Sequence, residues 1–228
     1  MSAASPAPDA AEGSGRMLRA MAGIGAVCGL LIVLVHVATG PVIERNRAAA
    51  LQSAIFEVLP EARSTRPFRR TAAGGFEPAP PAAVAGDLVH AAYGDDGRLV
   101  GFAVQAAGIG YQDVIRLLYG YSFEREAIVG IRVLESRETP GLGDRIESDP
   151  EFLANFERLD VTLAEDDSAL AHPIEPVKHG AKQQPWEVEG ITGATVSSVA
   201  VARILRESAS RWVPDLRRRL DEFRAEEP

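Results

Sequence analysis

The sequence predicts an α+β domain, an antiparallel sheet flanked by helices, carried on one N-terminal transmembrane helix. Three observations predict it. An apolar run crosses Ala20 to Ala38, alternating strand segments bracket two polar turns, and a helical apolar period closes the chain. Composition sets the frame. The chain has 228 residues and a net charge of −8, which argues against a nucleic-acid partner. The single cysteine, Cys28, excludes an internal disulfide and a cysteine-rich metal or iron–sulfur site. His36, His90, His172 and His179 are scattered without metal-ligand spacing, so no metal is expected.

Residues 1–16 are rich in Ala, Ser, Pro and Gly and read as a disordered cytoplasmic tail. Residues 17–40 hold the span. The Ala20 to Ala38 run of about 19 residues is long enough to cross the hydrocarbon core. It exceeds the roughly 7–15 residues of a signal-peptide core, and no clean A-x-A-like site follows, so it reads as retained. Arg16 and Arg19 precede it, while Glu44 partly offsets Arg45 and Arg47 after it. That bias favours a cytoplasmic N-terminus and an exported C-terminal domain. Gly25 and Gly29 share a helix face and invite a packed helix partner. His36, near the outer end, can snorkel to the interface.

Residues 41–87 read as a helix and a linker. The helix runs from about Val42 to Leu59, with Leu51, Ile55, Val58 and Leu59 as its apolar stripe, and breaks at Pro60. Phe76 to Gly86 reads as a Pro/Ala-rich surface loop. The main domain then occupies 88–228. Leu88 to Tyr93 and Leu99 to Ala106 flank the turn Gly94-Asp95-Asp96-Gly97-Arg98. Val114 to Phe123 and Ile128 to Glu135 form a second pair around Glu124-Arg125-Glu126. Asp149 and Pro150 cap a short helix expected through Leu159. A helix follows from Thr195 or Val196 to about Trp212, then a second from Pro214 to Arg224.

Two loops carry chemistry. In Thr192-Gly193-Ala194-Thr195-Val196-Ser197-Ser198, a small-residue turn delivers a threonine hydroxyl to the start of a helix. The apolar residues Val196, Val199, Ala200, Val201, Ile204 and Leu205 mark that helix. Unpaired amides and the macrodipole make such a start a phosphate site. Plain N-capping by Thr192 or Thr195 is the alternative. In Glu138-Thr139-Pro140-Gly141-Leu142-Gly143-Asp144, Pro140 stiffens a turn whose glycines permit close backbone approach. Leu142 would lie against something flat and apolar. An ordinary Pro-Gly turn is the alternative there.

Taken together, Arg137 to Asp144 and Glu189 to Ser198 resemble the motifs of the FMN-binding domain family of redox-driven ion pumps. Their order, and the anchor before them, resemble the G subunits of Rnf electron-transport complexes. Gly110-Tyr111 and Pro41-Val42-Ile43-Glu44-Arg45-Asn46 fit the same pattern. The resemblance implies FMN joined through its phosphate, as an ester, to Thr195. Thr192, Gly193, Ala194 and Ser197 would surround the attachment point, and Glu138, Thr139, Gly141, Leu142 and Gly143 would line the flavin. Where the family usually has an aspartate six positions before the threonine, this chain has Glu189, one methylene longer. The resemblance also implies a flavin transferase during maturation, partner subunits in a bacterial inner membrane, and a periplasmic C-terminal domain. The chain would be an electron carrier with no complete reaction of its own. It has no dinucleotide-binding glycine fingerprint, so NADH would bind elsewhere. Three readings stay beside this one. They are the C subunit of the sodium-translocating NADH:quinone reductase, an anchored FMN-binding sensor, and a cofactor-free protein in which Thr195 only caps a helix.

Overall fold

The computed structural model describes residues 10–80 and 87–223, and the chain divides into two units, Met1–Arg47 and Ala48–Pro228. Helix α1 runs Ala10–Val58 without interruption. Its first unit includes an 18-residue window of mean hydropathy 2.4, none of it buried. By length and composition it can cross a membrane. Of the expected tail, residues 1–9 lie outside the described residues, whereas residues 10–16 are helical. The span and the helix expected from about Val42 are one helix, since α1 passes through Pro41. Proline removes one i→i−4 bond but does not forbid helix on both sides of it.

Beyond α1 the chain forms β1 (Ser64–Arg70), β2 (Phe76–Pro78), β3 (Leu88–Tyr93), β4 (Leu99–Ile109), β5 (Val114–Ser122) and β6 (Ala127–Glu135). A 3₁₀ turn (Gly143–Glu147), α2 (Pro150–Ala154), β7 (Leu159–Asp160), β8 (Glu175–Val177), β9 (Glu187–Glu189) and α3 (Thr195–Arg218) follow. A last 3₁₀ turn covers Leu220–Phe223. Seven strands make one antiparallel sheet in the order β2-β1-β3-β4-β5-β6-β7, and β8 and β9 form a small parallel pair. This is the α+β arrangement the strand and helix pattern predicted.

Each face of the sheet is covered by one helix. On one side, Val89, Ala91, Phe102, Val104, Leu117 and Tyr119 pack in a core shared with Ala200, Val201, Ile204, Leu205 and Val213 of α3. On the other, Leu51, Ala54, Ile55 and Val58 of α1 pack with Ala92, Ala103 and Leu118. The predicted stripe of Leu51, Ile55, Val58 and Leu59 is therefore the buried one. The period-2 alternation of the strands puts successive residues into different cores. The close contact depends on Gly120, where a Cβ would lie 2.4 Å from the Val58 carbonyl oxygen.

Four local expectations change. The stretch after Pro60, read as linker, supplies β1, which pairs with β3 from Ser64↔Tyr93 to Arg69↔Leu88, and β2, which pairs with β1. Of the expected 76–86 loop, 76–78 is strand β2, and 81–86 lie outside the described residues. Helix α2 stops at Ala154 rather than Leu159, because Leu159 pairs with Ile128 in the sheet. Finally, α3 continues through Pro214, so no separate helix begins there. Trp212, Val213, Pro214 and Leu216 are all buried, and this packing outweighs the one backbone bond lost at proline.

Candidate functional site

Three segments converge on the N-terminal end of α3. They are the β4–β5 turn, the loop after β6 and the turn after β9. The last two are built alike. In Thr139-Pro140-Gly141-Leu142, the Leu142 amide donates to the Thr139 carbonyl at 3.1 Å, with Gly141 at φ +76°. In Ile191-Thr192-Gly193-Ala194, the Ala194 amide donates to the Ile191 carbonyl at 3.0 Å, with Gly193 at φ +87°. A positive φ at the third position is the demand that places glycine there.

Thr195 is the first residue of α3 and is exposed. No side chain caps this helix, so plain capping by Thr192 or Thr195 is not what the threonines do. Among the described residues the amides of Thr195, Val196 and Ser197 have no acceptor, leaving three donors at the positive end of the macrodipole. The serines hold the turn from below. The buried Ser198 hydroxyl accepts from the Ile191 amide at 3.0 Å and donates to the Ala194 carbonyl at 2.9 Å. The buried Ser197 hydroxyl donates to the Glu138 carboxylate.

Glu138 joins all three segments. Its Oε1 accepts from the amides of Tyr111 at 2.9 Å and Gln112 at 3.1 Å, while Oε2 takes the Ser197 hydroxyl. Gly110 and Gly143 make room for it. A Cβ on Gly110 would lie 2.4 Å from Oε1, and one on Gly143 would lie 2.8 Å from Oε2 and 2.7 Å from Ser197 Oγ. A second link is Arg145, whose guanidinium donates to the Thr192 carbonyl at 3.2 Å and pairs with Asp149. The Phe152 amide, which caps α2 on Asp149, and then Arg145 hold that carboxyl below its ordinary range. On the far side, Arg203 of α3 donates to the Ile109 carbonyl.

The ten residues that the resemblance implies around the flavin lie in the loop after β6 and at the start of α3. Thr192, Gly193, Thr195, Gly141 and Leu142 are exposed, Ala194, Ser197, Glu138 and Gly143 are buried, and Thr139 is half-buried. Around them lies an apolar rim. Outside α1, the exposed large apolar side chains among the described residues are Ile109, Tyr111, Leu142, Val196 and Val199. Val196 and Val199, two of the residues that mark the helix in the sequence, are exposed beside Thr195.

Sequence reasoning missed Arg145 and Asn155. Asn155 is 5% exposed and ends α2. Its amide accepts from the Glu189 N–H at 3.0 Å and donates to the Glu189 carbonyl at 3.1 Å. Lys182 Nζ donates to the same Oδ1 at 3.0 Å, and burial lowers the pKa of Lys182. No spacing rule marks such a residue, since its partner is backbone 34 positions away. Glu189 itself pairs with His179 at 3.1 Å and accepts from the Gly180 amide. A cleft of about 440 Å³ lies among Arg145, Asp149, Phe152, His179, Glu189 and Thr192.

Residues 110–210, which carry all three segments, match the FMN-binding domain family. The chain is 30% identical over 198 residues to the G subunit of the ion-translocating oxidoreductase complex of Methanosarcina acetivorans, covering 85% of this chain and 91% of that one. It is 31% identical over 121 residues to the Escherichia coli protein of the same name, spanning 53% of each. In fold it is similar to the C subunit of the Na(+)-translocating NADH-quinone reductase from Parabacteroides distasonis. The TM-score there is 0.54 at 21% identity, over 68% of this chain and 78% of the other. The C-terminal part of the chain is thus a domain of the FMN-binding class. The whole chain belongs to the family formed by the G subunits of ion-translocating oxidoreductase complexes.

Proposed function

We propose that this chain is the membrane-anchored flavoprotein subunit of an ion-translocating electron-transport complex, holding FMN through a phosphate ester on Thr195. The observation that carries the reading is the coincidence at one point of unlike features. These are an exposed threonine hydroxyl, three unpaired helix-start amides, and the apolar rim of Ile109, Tyr111, Leu142, Val196 and Val199. A phosphate needs the first two, and a flat aromatic ring needs the third. These residues fit the group. Gly193 and Gly141 leave open space around the approach, since a Cβ at either would meet nothing within 4 Å.

When bound, FMN supplies one- and two-electron chemistry, and the protein supplies orientation and surroundings. Thr195 provides the acceptor oxygen. Its Oγ1–P bond would form as the P–O–P bond of a flavin dinucleotide broke. Adenylate would leave with the bonding pair, and the hydroxyl proton would pass to a base of the flavin transferase. The free amides of Thr195, Val196 and Ser197 would donate to the FMN phosphate. The apolar rim, Leu142 included, would hold the ring and exclude water from it. The Glu138–Ser197 bond holds the two flavin-bearing loops in register.

The anchor is the first unit of α1. The basic residues before it support a cytoplasmic N-terminus in a bacterial inner membrane and a periplasmic flavin domain. One helix offers no electron path, so neighbouring membrane subunits exchange electrons with the flavin and carry the ions. The decisive experiment is purification from the native membrane, denaturing electrophoresis with in-gel flavin fluorescence, and mass analysis of the flavin peptide. Fluorescence on wild-type chain and none on Thr195→Ala is expected. Flavin kept by Thr195→Ala, or found on Thr192, refutes the reading.

A further inference from the structure

We infer that Asn155 is a positioning residue for flavin attachment, fixing the strand that leads into the acceptor turn. The inference rests on Thr195 being the acceptor. Asn155 makes with Glu189 the pair of hydrogen bonds that a neighbouring strand would make, one to the N–H and one from its own amide to the carbonyl. On the other edge, the Gly190 amide donates to the Val177 carbonyl at 2.9 Å. The backbone at Glu189 and Gly190 is thus held from both edges, although β9 is only three residues long. The turn Ile191–Ala194 and the acceptor Thr195 begin immediately after it.

Asn155 is itself fixed. It donates to the Phe152 carbonyl at 3.0 Å, and Lys182 Nζ donates to its Oδ1 at 3.0 Å. Its oxygen therefore serves two donors and its nitrogen three carbonyls, Glu151 at 3.5 Å being the third, so the amide is held in one orientation. This fixes the Glu189 backbone while leaving the Glu189 carboxylate directed to His179 and the Gly180 amide. A flavin transferase must recognise this segment as a substrate. A segment ordered beforehand docks without a further ordering cost, so the effect belongs in KM and not in kcat.

The test uses the full-length chain in detergent, a purified flavin transferase and flavin dinucleotide, with flavin incorporation followed against chain concentration. Asn155→Asp keeps the shape and the acceptor but loses the donor to the Glu189 carbonyl. KM for the chain should rise about tenfold with kcat nearly unchanged. Exchange of the Glu189 amide in the flavin-free chain should accelerate. Lys182→Met should shift KM in the same direction by a smaller factor, and Lys182→Arg should restore it. A folded Asn155→Asp with wild-type KM and wild-type exchange overturns the inference. If that variant does not fold, a wild-type KM in Lys182→Met overturns it. Flavin retained by Thr195→Ala would instead sink the attachment reading, whatever the KM values.

Discussion

Ser197 and Glu138, 59 positions apart in the chain, meet in the interior, where the serine hydroxyl donates to the glutamate carboxylate. The bond ties the first turn of α3 to the loop after β6. Through its other oxygen Glu138 also holds the β4–β5 turn at Tyr111 and Gln112. Two short motifs, unremarkable apart, become one site through a single buried carboxylate.

Removing that carboxylate should loosen all three segments together. Glu138→Ala leaves the Tyr111 and Gln112 amides and the Ser197 hydroxyl without their acceptor. Of these only the Ser197 hydroxyl is buried, and a buried group left unsatisfied costs about 1–3 kcal/mol. The melting temperature of the detergent-solubilised chain should fall by roughly 4 °C or more, since about 1 kcal/mol moves Tm by 2–4 °C at this size. Flavin content should fall with it. An unchanged Tm would mean that the carboxylate does not join these loops.

The two glycines of the Pro140-Gly141-Leu142-Gly143 loop should respond differently. Gly141 has open space but φ +76°, so Gly141→Ala should cost only about 1 kcal/mol of local strain. Gly143 has no such strain but no room, with Ser197 Oγ 2.7 Å from a built Cβ. Gly143→Ala should separate Glu138 from Ser197 and shift the flavin absorbance and potential more than Gly141→Ala does. Urea titration and spectroelectrochemistry of the two variants check the order.

His90 gives stability a defined pH dependence. It is 6% exposed in β3, its Nε2 has no hydrogen-bond partner, and burial lowers its pKa from 6.5. The folded state therefore resists protonation, and the unfolded chain binds the proton more readily. This contribution is constant above the unfolded value of 6.5 and is lost as pH falls below it towards the folded pKa. Urea midpoints measured from pH 8 to pH 5 should fall for the wild-type chain. His90→Leu should flatten that part of the curve, and identical slopes would count against the histidine.

Orientation and assembly are tested in cells. Protease added to intact spheroplasts should digest the C-terminal domain and spare an N-terminal tag. Gly25→Leu with Gly29→Leu should weaken co-purification of partner subunits while leaving flavin on Thr195. A protected C-terminal domain would reverse the proposed topology.

By itself the sequence determined what depends on local pattern. Hydropathy along Ala20 to Ala38 marks a helix long and apolar enough to cross a membrane. Period-2 runs around Gly94–Arg98 and Glu124–Glu126 mark the hairpins, and Pro140-Gly141 and Gly193 mark the two turns. The Thr192 to Ser198 motif was legible because its small residues, threonine and helix start are contiguous. Tertiary structure alone decided the rest. Pairing with β3 turned Ser64–Arg70 from linker into strand, pairing with Ile128 took Leu159 from helix into sheet, and packing carried α3 past Pro214. It also turned Val196 and Val199 outward beside Thr195, and gave Asn155 to the Glu189 backbone. Local propensities amount to tenths of a kcal/mol per residue, whereas a strand partner or a buried face contributes several times more. Contacts between residues 34 or 59 positions apart exist only once the sheet has brought them together.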